Sequence, residues 1–328
     1  MALRGCKSIL GVVGAGALLL PFLIGVSPAQ DLKDKTIRIV VPFPAGGTAD
    51  TIARLISQQS TQSTGQKFIV ENRPGAGTII GTEAVARAAP DGTSVLIMSN
   101  SFVINATVRA NLPYDPLTSF EPLCNLVDSP QVLVVHASSP YRTLKDLVDA
   151  ARTQPGGLSL ATVGPATTQH IAGEMFKLAA GVNLTYVPFP GGAPAVNAIL
   201  GQHVTTVVAN YNEVMEHVHG GKLRALAVAS QARLKPLPDV PTFIESGYKD
   251  FESSAFFGFV APAKTPKDTV TQLNALLIAA LRAPDVTAKL VTQGLEIIGN
   301  CGDEFRTHIQ RQHDKFRSVI REAGIKTE

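Results

Sequence analysis

The sequence predicts an α/β chain with largely parallel sheets, and three observations carry that expectation. Short β-branched runs alternate with helical-period segments, as where Thr36 to Val41 is followed by Ile52, Leu55 and Ile56. The joints between them are rich in Pro and Gly, which stop both kinds of element. Two of those joints also share a grammar: Pro42-Phe43-Pro44-Ala45-Gly46-Gly47 and Pro188-Phe189-Pro190-Gly191-Gly192, about 150 residues apart, fit two similar domains facing each other across a cleft. Chance repetition of Pro and Gly is the alternative. With 328 residues, 45% of them apolar, the chain is long enough for two cores.

The N-terminal residues 1–29 read as a secretory signal peptide. Arg4 and Lys7 precede an apolar segment from Ile9 to Val26, and Ser27-Pro28-Ala29 supplies small residues at a cleavage site. A membrane anchor is the alternative, since the segment is near the lower length limit for a span. Cys6 precedes the apolar core, so it is no lipobox cysteine. Processing removes two positive charges and leaves +1 of the formal +3, with no basic block and no basic–aromatic interleaving of the kind a nucleic-acid surface needs. Cys124 and Cys301 then allow at most one intramolecular disulfide, and the sequence leaves open whether they meet. No C-x-x-C or H-E-x-x-H spacing occurs, His217 and His219 read as a solvated helix end, and no structural metal is expected.

In chain order, the strand to Val41 runs through the Pro42–Gly47 loop into a helix opened by Thr48. Gly46 and Gly47 allow close backbone approach, and a helix start with free amides attracts anions, so the loop reads either as a carboxylate or phosphate seat or as an ordinary βα turn. Lys67 to Glu71 is a second strand, leading through Asn72-Arg73-Pro74-Gly75-Ala76-Gly77 to a helix over about 78–89. Gly75, Gly77 and Gly81 have a dinucleotide-loop spacing, set against a plain glycine-rich turn in an exported chain without nicotinamide cofactor. Strands follow at Ser94 to Met98 and, after a long irregular stretch, at Gln131 to His136. Thr143 caps a helix through Ala151. Leu158 to Ala161 delivers a polar loop in which Thr167 and Thr168 either meet a ligand or cap the next helix, Ile171 to Ala179. Leu184 to Val187, a short helix at Ala195 to Leu200, Val204 to Ala209, a helix to about His219 and Leu223 to Ala229 complete the middle. Pro236 to Gly247 is a polar crossover. Phe256 to Ala261 returns as a strand, Thr265-Pro266 opens a helix with Val270, Leu273, Leu277 and Leu281 on one face, and an amphipathic helix lies between Gly302 and Gly324.

These residues carry a family resemblance that runs from Ile37 to about Lys326. V-V-P-F-P-A-G-G-T-A-D at Val40 to Asp50, E-N-R-P-G-A-G at Glu71 to Gly77, H-I-A-G-E-M-F at His170 to Phe176, G-G-A-P-A at Gly191 to Ala195, G-K-L-R-A-L-A-V at Gly221 to Val228 and L-P-D-V-P-T at Leu237 to Thr242 resemble the Bug or TctC periplasmic solute-binding proteins of tripartite tricarboxylate transporters. The resemblance implies two Rossmann-like α/β domains joined by a two-strand hinge, like a type II periplasmic binding protein. Residues 30–132 with 255–328 would form the first domain and 133–254 the second. It also implies a ligand carboxylate gripped, partly through ordered water, by Phe43, Ala45, Gly46, Gly47 and Asp50 on one side. Gly164, Thr167, Thr168, His170, Phe189, Gly191, Gly192, Ala193 and Asn210 would face them. Three departures stand out: Phe189-Pro190 replaces a usual Tyr-Lys, Ala209 stands where an Asp is common, and Ala166-Thr167 replaces a Gly-Ser pair. They point to a less polar or aromatic carboxylate rather than a citrate-like or amino-acid ligand.

The expected function is therefore an exported, monomeric binding protein in the periplasm that presents a small organic carboxylate to two membrane transporter subunits. It needs no cofactor, no metal and no nucleic acid. An orphan periplasmic sensor shares the same pocket, and an NADP-type oxidoreductase using Gly75, Gly77 and Gly81 is the enzyme alternative. The sequence offers no G-x-S-x-G elbow and no nucleophile with an evident base, so no enzyme is expected. Asp50 and His170 are the nearest acid–base candidates, and Asp50 also reads as a first-turn carboxylate complementing the helix dipole or orienting a ligand-bound water.

Overall fold

The computed structural model describes residues 1–2, 32–33, 35–164, 166–322 and 324. The apolar segment of the expected signal peptide, like Pro165 of the Thr167 loop, lies outside the described residues. Strand β1 (Thr36–Val41) leads into α1 (Thr48–Thr64), β2 (Lys67–Asn72), a 3₁₀ turn at Ala76–Thr78, α2 (Ile79–Ala86), β3 (Ser94–Met98) and α3 (Ser101–Val108). The long β4 (Phe120–His136) follows, then α4 (Leu144–Thr153), β5 (Ser159–Thr162), α5 (Thr168–Ala180), β6 (Thr185–Pro188), α6 (Gly192–Leu200), β7 (Thr206–Asn210), α7 (Tyr211–His219) and β8 (Leu223–Val228). The chain ends with β9 (Ser254–Pro262), α8 (Lys267–Leu281), α9 (Pro284–Thr292), β10 (Glu296–Cys301) and α10 (Asp303–Glu322).

The sheet order is β2-β1-β3-β9-β4-β7-β5-β6, with β8 and β10 also paired to β4. Each outer part is parallel, β1 with β2 and β3, β5 with β6 and β7, as the βα alternation requires. The centre is antiparallel: β4 pairs with β9 and β10 through its first stretch and with β7 and β8 from Gln131 or Val132 onward. The expectation of largely parallel sheets therefore holds at the two ends and fails at the middle. What makes β4 long is the change of partner along it: Phe120 to Pro130 pairs with β9, and Gln131 to Val135 pairs with β7. At the changeover, Gln131 exchanges backbone bonds with Ser253 (3.3 Å) and Ala229 (2.8 Å), and Ser253 Oγ donates to Gln131 Oε1 at 2.7 Å.

Most apolar faces are buried within one half, while Ala166 and Ile171 of the second half join the cluster of Val40, Phe102 and Phe256 in the first. Ile37, Ile39, Ile52, Ile56 and Leu277 belong to one core, and Leu133, Leu147, Leu160 and Phe176 to another. The face of α8 read from the sequence is the buried one: Leu273, Leu277 and Leu281 are in the core and Val270 packs against it. Thr143 caps α4 as expected, and Asp146 completes a capping box. Thr265 does not cap α8; its hydroxyl turns back to the Pro262 carbonyl at 2.7 Å. Cys124 and Cys301, opposite each other on β4 and β10, form a disulfide.

The glycine run after β2 has a structural explanation. Gly75 and Gly77 take φ values of 136° and 63°, conformations that favour glycine, and the Ile80 side chain lies over Gly75. A Cβ at Gly81 would fall 2.8 Å from the Arg73 carbonyl and 2.9 Å from Pro42 Cβ, so α2 packs directly onto the loop that follows β1. These glycines let the chain pack on itself.

Candidate ligand-binding site

Three helices begin at one cleft between the two halves, each after the carboxyl end of a parallel strand or its loop. Gly47 is the N-cap of α1 and Gly191 that of α6, and neither supplies a side chain to the amides of the first turn. Thr167 caps α5, accepting from the His170 amide, so the amides of Thr168 and Gln169 have no partner within the helix, and both residues line the cleft. Helix starts of this kind carry partial positive charge and free donors. Phe43, Val163, Ala255 and Phe257 add apolar walls, and Ser99 a hydroxyl.

The first loop is held by the residues that follow it. Asp50 is buried and its carboxylate accepts from the Gly46 amide (3.0 Å), Asn72 Nδ2 (2.9 Å) and Arg54 Nε (2.9 Å). Those donors, Arg54 foremost, hold its carboxyl below the usual carboxylate range despite the opposing effect of burial. Asn72 also donates to the Phe43 carbonyl at 3.2 Å, and the Arg73 amide to that of Val41 at 2.8 Å. The E-N-R stretch is thus a clamp on the loop.

The two glycine-rich loops close on each other. A Cβ at Gly191 would lie 3.0 Å from Pro44 Cγ, and one at Gly46 would lie 3.9 Å from Ala193 Cβ. Thr48 is 2% exposed, and its hydroxyl is shared among Asn212 Oδ1 (3.0 Å), Glu213 Oε1 (3.1 Å) and Asn210 Nδ2 (3.1 Å) of the other half. The space left between the loops in this arrangement is small, about 30 Å³.

Of the residues expected at the site, Phe43, Ala45, Gly47, Thr167, Thr168, Gly191, Gly192, Ala193 and Asn210 line this cleft. The others stand behind it. Gly46 and Asp50 form the loop clamp; Gly164, at φ 101°, accepts from the Thr167 hydroxyl at 2.8 Å; Phe189 packs against the core of the second half. His170 turns toward β5, its Nδ1 3.0 Å from Thr162 Oγ1 and its ring 4.7 Å from that of Tyr186. Burial there lowers its pKa. Thr48, Ser99, Gln169, Phe257 and above all Glu213 line the cleft without having been expected. Glu213 left a faint signal in the sequence, an acid in the first turn of a helix that follows a strand end. Burial pushes its carboxyl up, against the pull of donors on Thr48 and Asn210. Among the described residues no group of three or more His, Cys, Asp or Glu is placed to hold a metal, and no helix is long and apolar enough to cross a membrane.

Comparison with known proteins places this geometry. The family model described as "Tripartite tricarboxylate transporter family receptor" matches residues 52–325. The chain belongs to that family. Protein BugT of Bordetella pertussis is 33% identical over 300 residues, 91% of this chain and 92% of BugT. The structure of the periplasmic binding protein BugD is 35% identical with a TM-score of 0.87, covering 90% of this chain and 99% of BugD. The structure of R. palustris Rpa4515 with adipate is 32% identical with a TM-score of 0.87 over the same shares of the two chains. The chain thus shares the fold of the periplasmic binding protein BugD, and Rpa4515, of the same fold, was solved with adipate.

Proposed function

We propose that this protein captures a small carboxylate-bearing solute in the cleft between its halves, outside the cytoplasm, and presents it to two membrane subunits of a tripartite tricarboxylate-type transporter. It is a binding protein and not an enzyme. The observation that carries this reading is the convergence of three helix N-termini, those of α1, α5 and α6, on one cleft with apolar walls. Such a site suits an anion. Membership of the receptor family and the adipate bound by its relative support the same solute class. Residues 30–132 with 255–328 and residues 133–254 act as the two domains, with β4 and the 229–253 return into β9 as the hinge. Binding shifts the population from open to closed.

A thermal-shift panel tests this. The chain contains no Trp, so an external dye serves as the probe. Benzoate-type acids, nicotinate, linear dicarboxylates, citrate, aspartate and glutamate are compared at equal ionic strength. A ligand at 100 times its Kd adds about 2.7 kcal/mol, which raises the midpoint by roughly 5 °C. At least one acid should do so, and NADP(H) should not. No shift with any acid, or saturable binding of the dinucleotide, contradicts the reading.

A further inference from the structure

The anion seat between α1 and α6 is already filled by the Glu213 carboxyl, which the two helix starts and Thr48 favour as the carboxylate against the burial that pushes its pKa up. Its Oε1 takes the Thr48 amide (3.4 Å) and hydroxyl (3.1 Å) at the first turn of α1. Both oxygens also lie over the first residue of α6: a Cβ at Gly192 would fall 2.3 Å from each, so glycine there makes the room. A Cβ at Gly47, the α1 N-cap, would be 3.7 Å from Oε1. Two helix starts contribute about half a positive charge each, so one carboxylate brings this end of the cleft to about neutrality. Glu213 Oε2 is buried in the cleft lining and makes no hydrogen bond of good geometry among the described residues, the Asn210 donors acting on the carboxyl only from beyond that geometry. A buried acceptor without a donor is unfavourable, and a solute that brings a donor relieves it. The third helix start, at Thr168 and Gln169 of α5, keeps its amides for an anion.

We propose that Glu213 is a specificity-determining residue: the solute sets its carboxylate on the N-terminus of α5 and donates the N–H of an uncharged carboxamide to Glu213 Oε2. This rests on the carboxylate-capture reading above and narrows it. A second carboxylate at this end would meet a like charge within the same small space. An ammonium would instead lie against the positive ends of two helices. The acid that Ala209 fails to supply thus comes from Glu213, while Ala209 is buried in the core of the second half.

Calorimetric titration of the mature chain at pH 7.5 with adipate, its monoamide and its monomethyl ester, and with the matching terephthalate series, tests the proposal. Wild type should bind a monoamide at least tenfold tighter than the corresponding dicarboxylate and the corresponding ester. Glu213→Gln should bind the dicarboxylate at least tenfold tighter than wild type does. Glu213→Asp, too short to reach Gly192, should lose the preference, with circular dichroism checking the fold of both variants. A wild type that prefers the dicarboxylate overturns this proposal and leaves carboxylate capture standing. Equal affinity for monoamide and ester removes the donated N–H, and so overturns it too, as does a panel in which other acids bind and no monoamide does. If no acid of any kind binds, the carboxylate reading itself falls, and this one with it.

Discussion

Removing the Thr48 hydroxyl should weaken solute binding about 30- to 700-fold without unfolding the protein. Thr48 is the first residue of α1, and its Oγ1 is the polar centre of the contact between the two loops. One hydroxyl proton serves one acceptor at a time, so it donates either to Asn212 Oδ1 or to Glu213 Oε1 and accepts from Asn210 Nδ2. A neutral bond contributes about 1 kcal/mol and one to a charged group about 1.5 to 3, which makes about 2 to 4 kcal/mol for Thr48→Val. All three partners lie across the cleft, so the loss falls on the closed form, and every 1.4 kcal/mol is about tenfold in apparent affinity. Thr48→Ser keeps the hydroxyl and should stay within about twofold of wild type on the same reasoning. Calorimetry with the strongest acid of the panel measures the affinities, and small-angle scattering with and without that acid shows whether closure is impaired. A folded Thr48→Val protein with wild-type affinity and wild-type closure would refute the cross-cleft role of this hydroxyl.

Gly46 stands at φ 87° and its amide bonds Asp50, so Gly46→Val should displace the first loop and cut affinity at least about tenfold, with only a few degrees lost from Tm; calorimetry and a thermal melt separate the two effects. Asp128 is pushed up to about 6 by burial, so its ionisation opposes folding: stability is highest below the usual carboxylate range, falls as pH rises toward about 6, and is lower by about 3 kcal/mol beyond it. Asp128→Asn should therefore stabilise the protein by about 2 to 3 kcal/mol at pH 8 and hardly at all at pH 4, whereas equal denaturant midpoint shifts at both values would contradict the assignment. The Cys124–Cys301 disulfide closes a loop across a separation of 177 residues, so reduction should cost about 5 kcal/mol and lower Tm by roughly 8 °C in calorimetric scans.

Much of the outer α/β layering was legible because each parallel strand is a short apolar run ended by Pro or Gly. The antiparallel centre was not. Phe120 to Pro130 reads as irregular because Pro122 and Pro130 interrupt it, yet tertiary pairing with β9 makes it strand. Helix α3 was lost just before it, between Met98 and Phe120, and α9 and β10 were lost among Gly294, Gly299 and Gly302. At the site, the loops were legible from Gly46, Gly47, Gly191 and Gly192, since close approach is a property of the residue itself. The roles of Asp50 and His170 were harder, because direction depends on packing: Asp50 faces back to Arg54 and Asn72, and His170 faces Thr162. Glu213 was only faintly legible as a site residue because its seat is made by Gly192 and Thr48, far from it in sequence.

The most direct test of solute capture between the two loops is an amide chemical-shift titration of the labelled protein with adipate and with its monoamide. Saturable shifts should concentrate on the amides of Thr168, Gln169, Gly192 and Ala193, together with Gly46 and Gly47 as the cleft closes. Saturable shifts confined to residues outside the cleft would contradict the account.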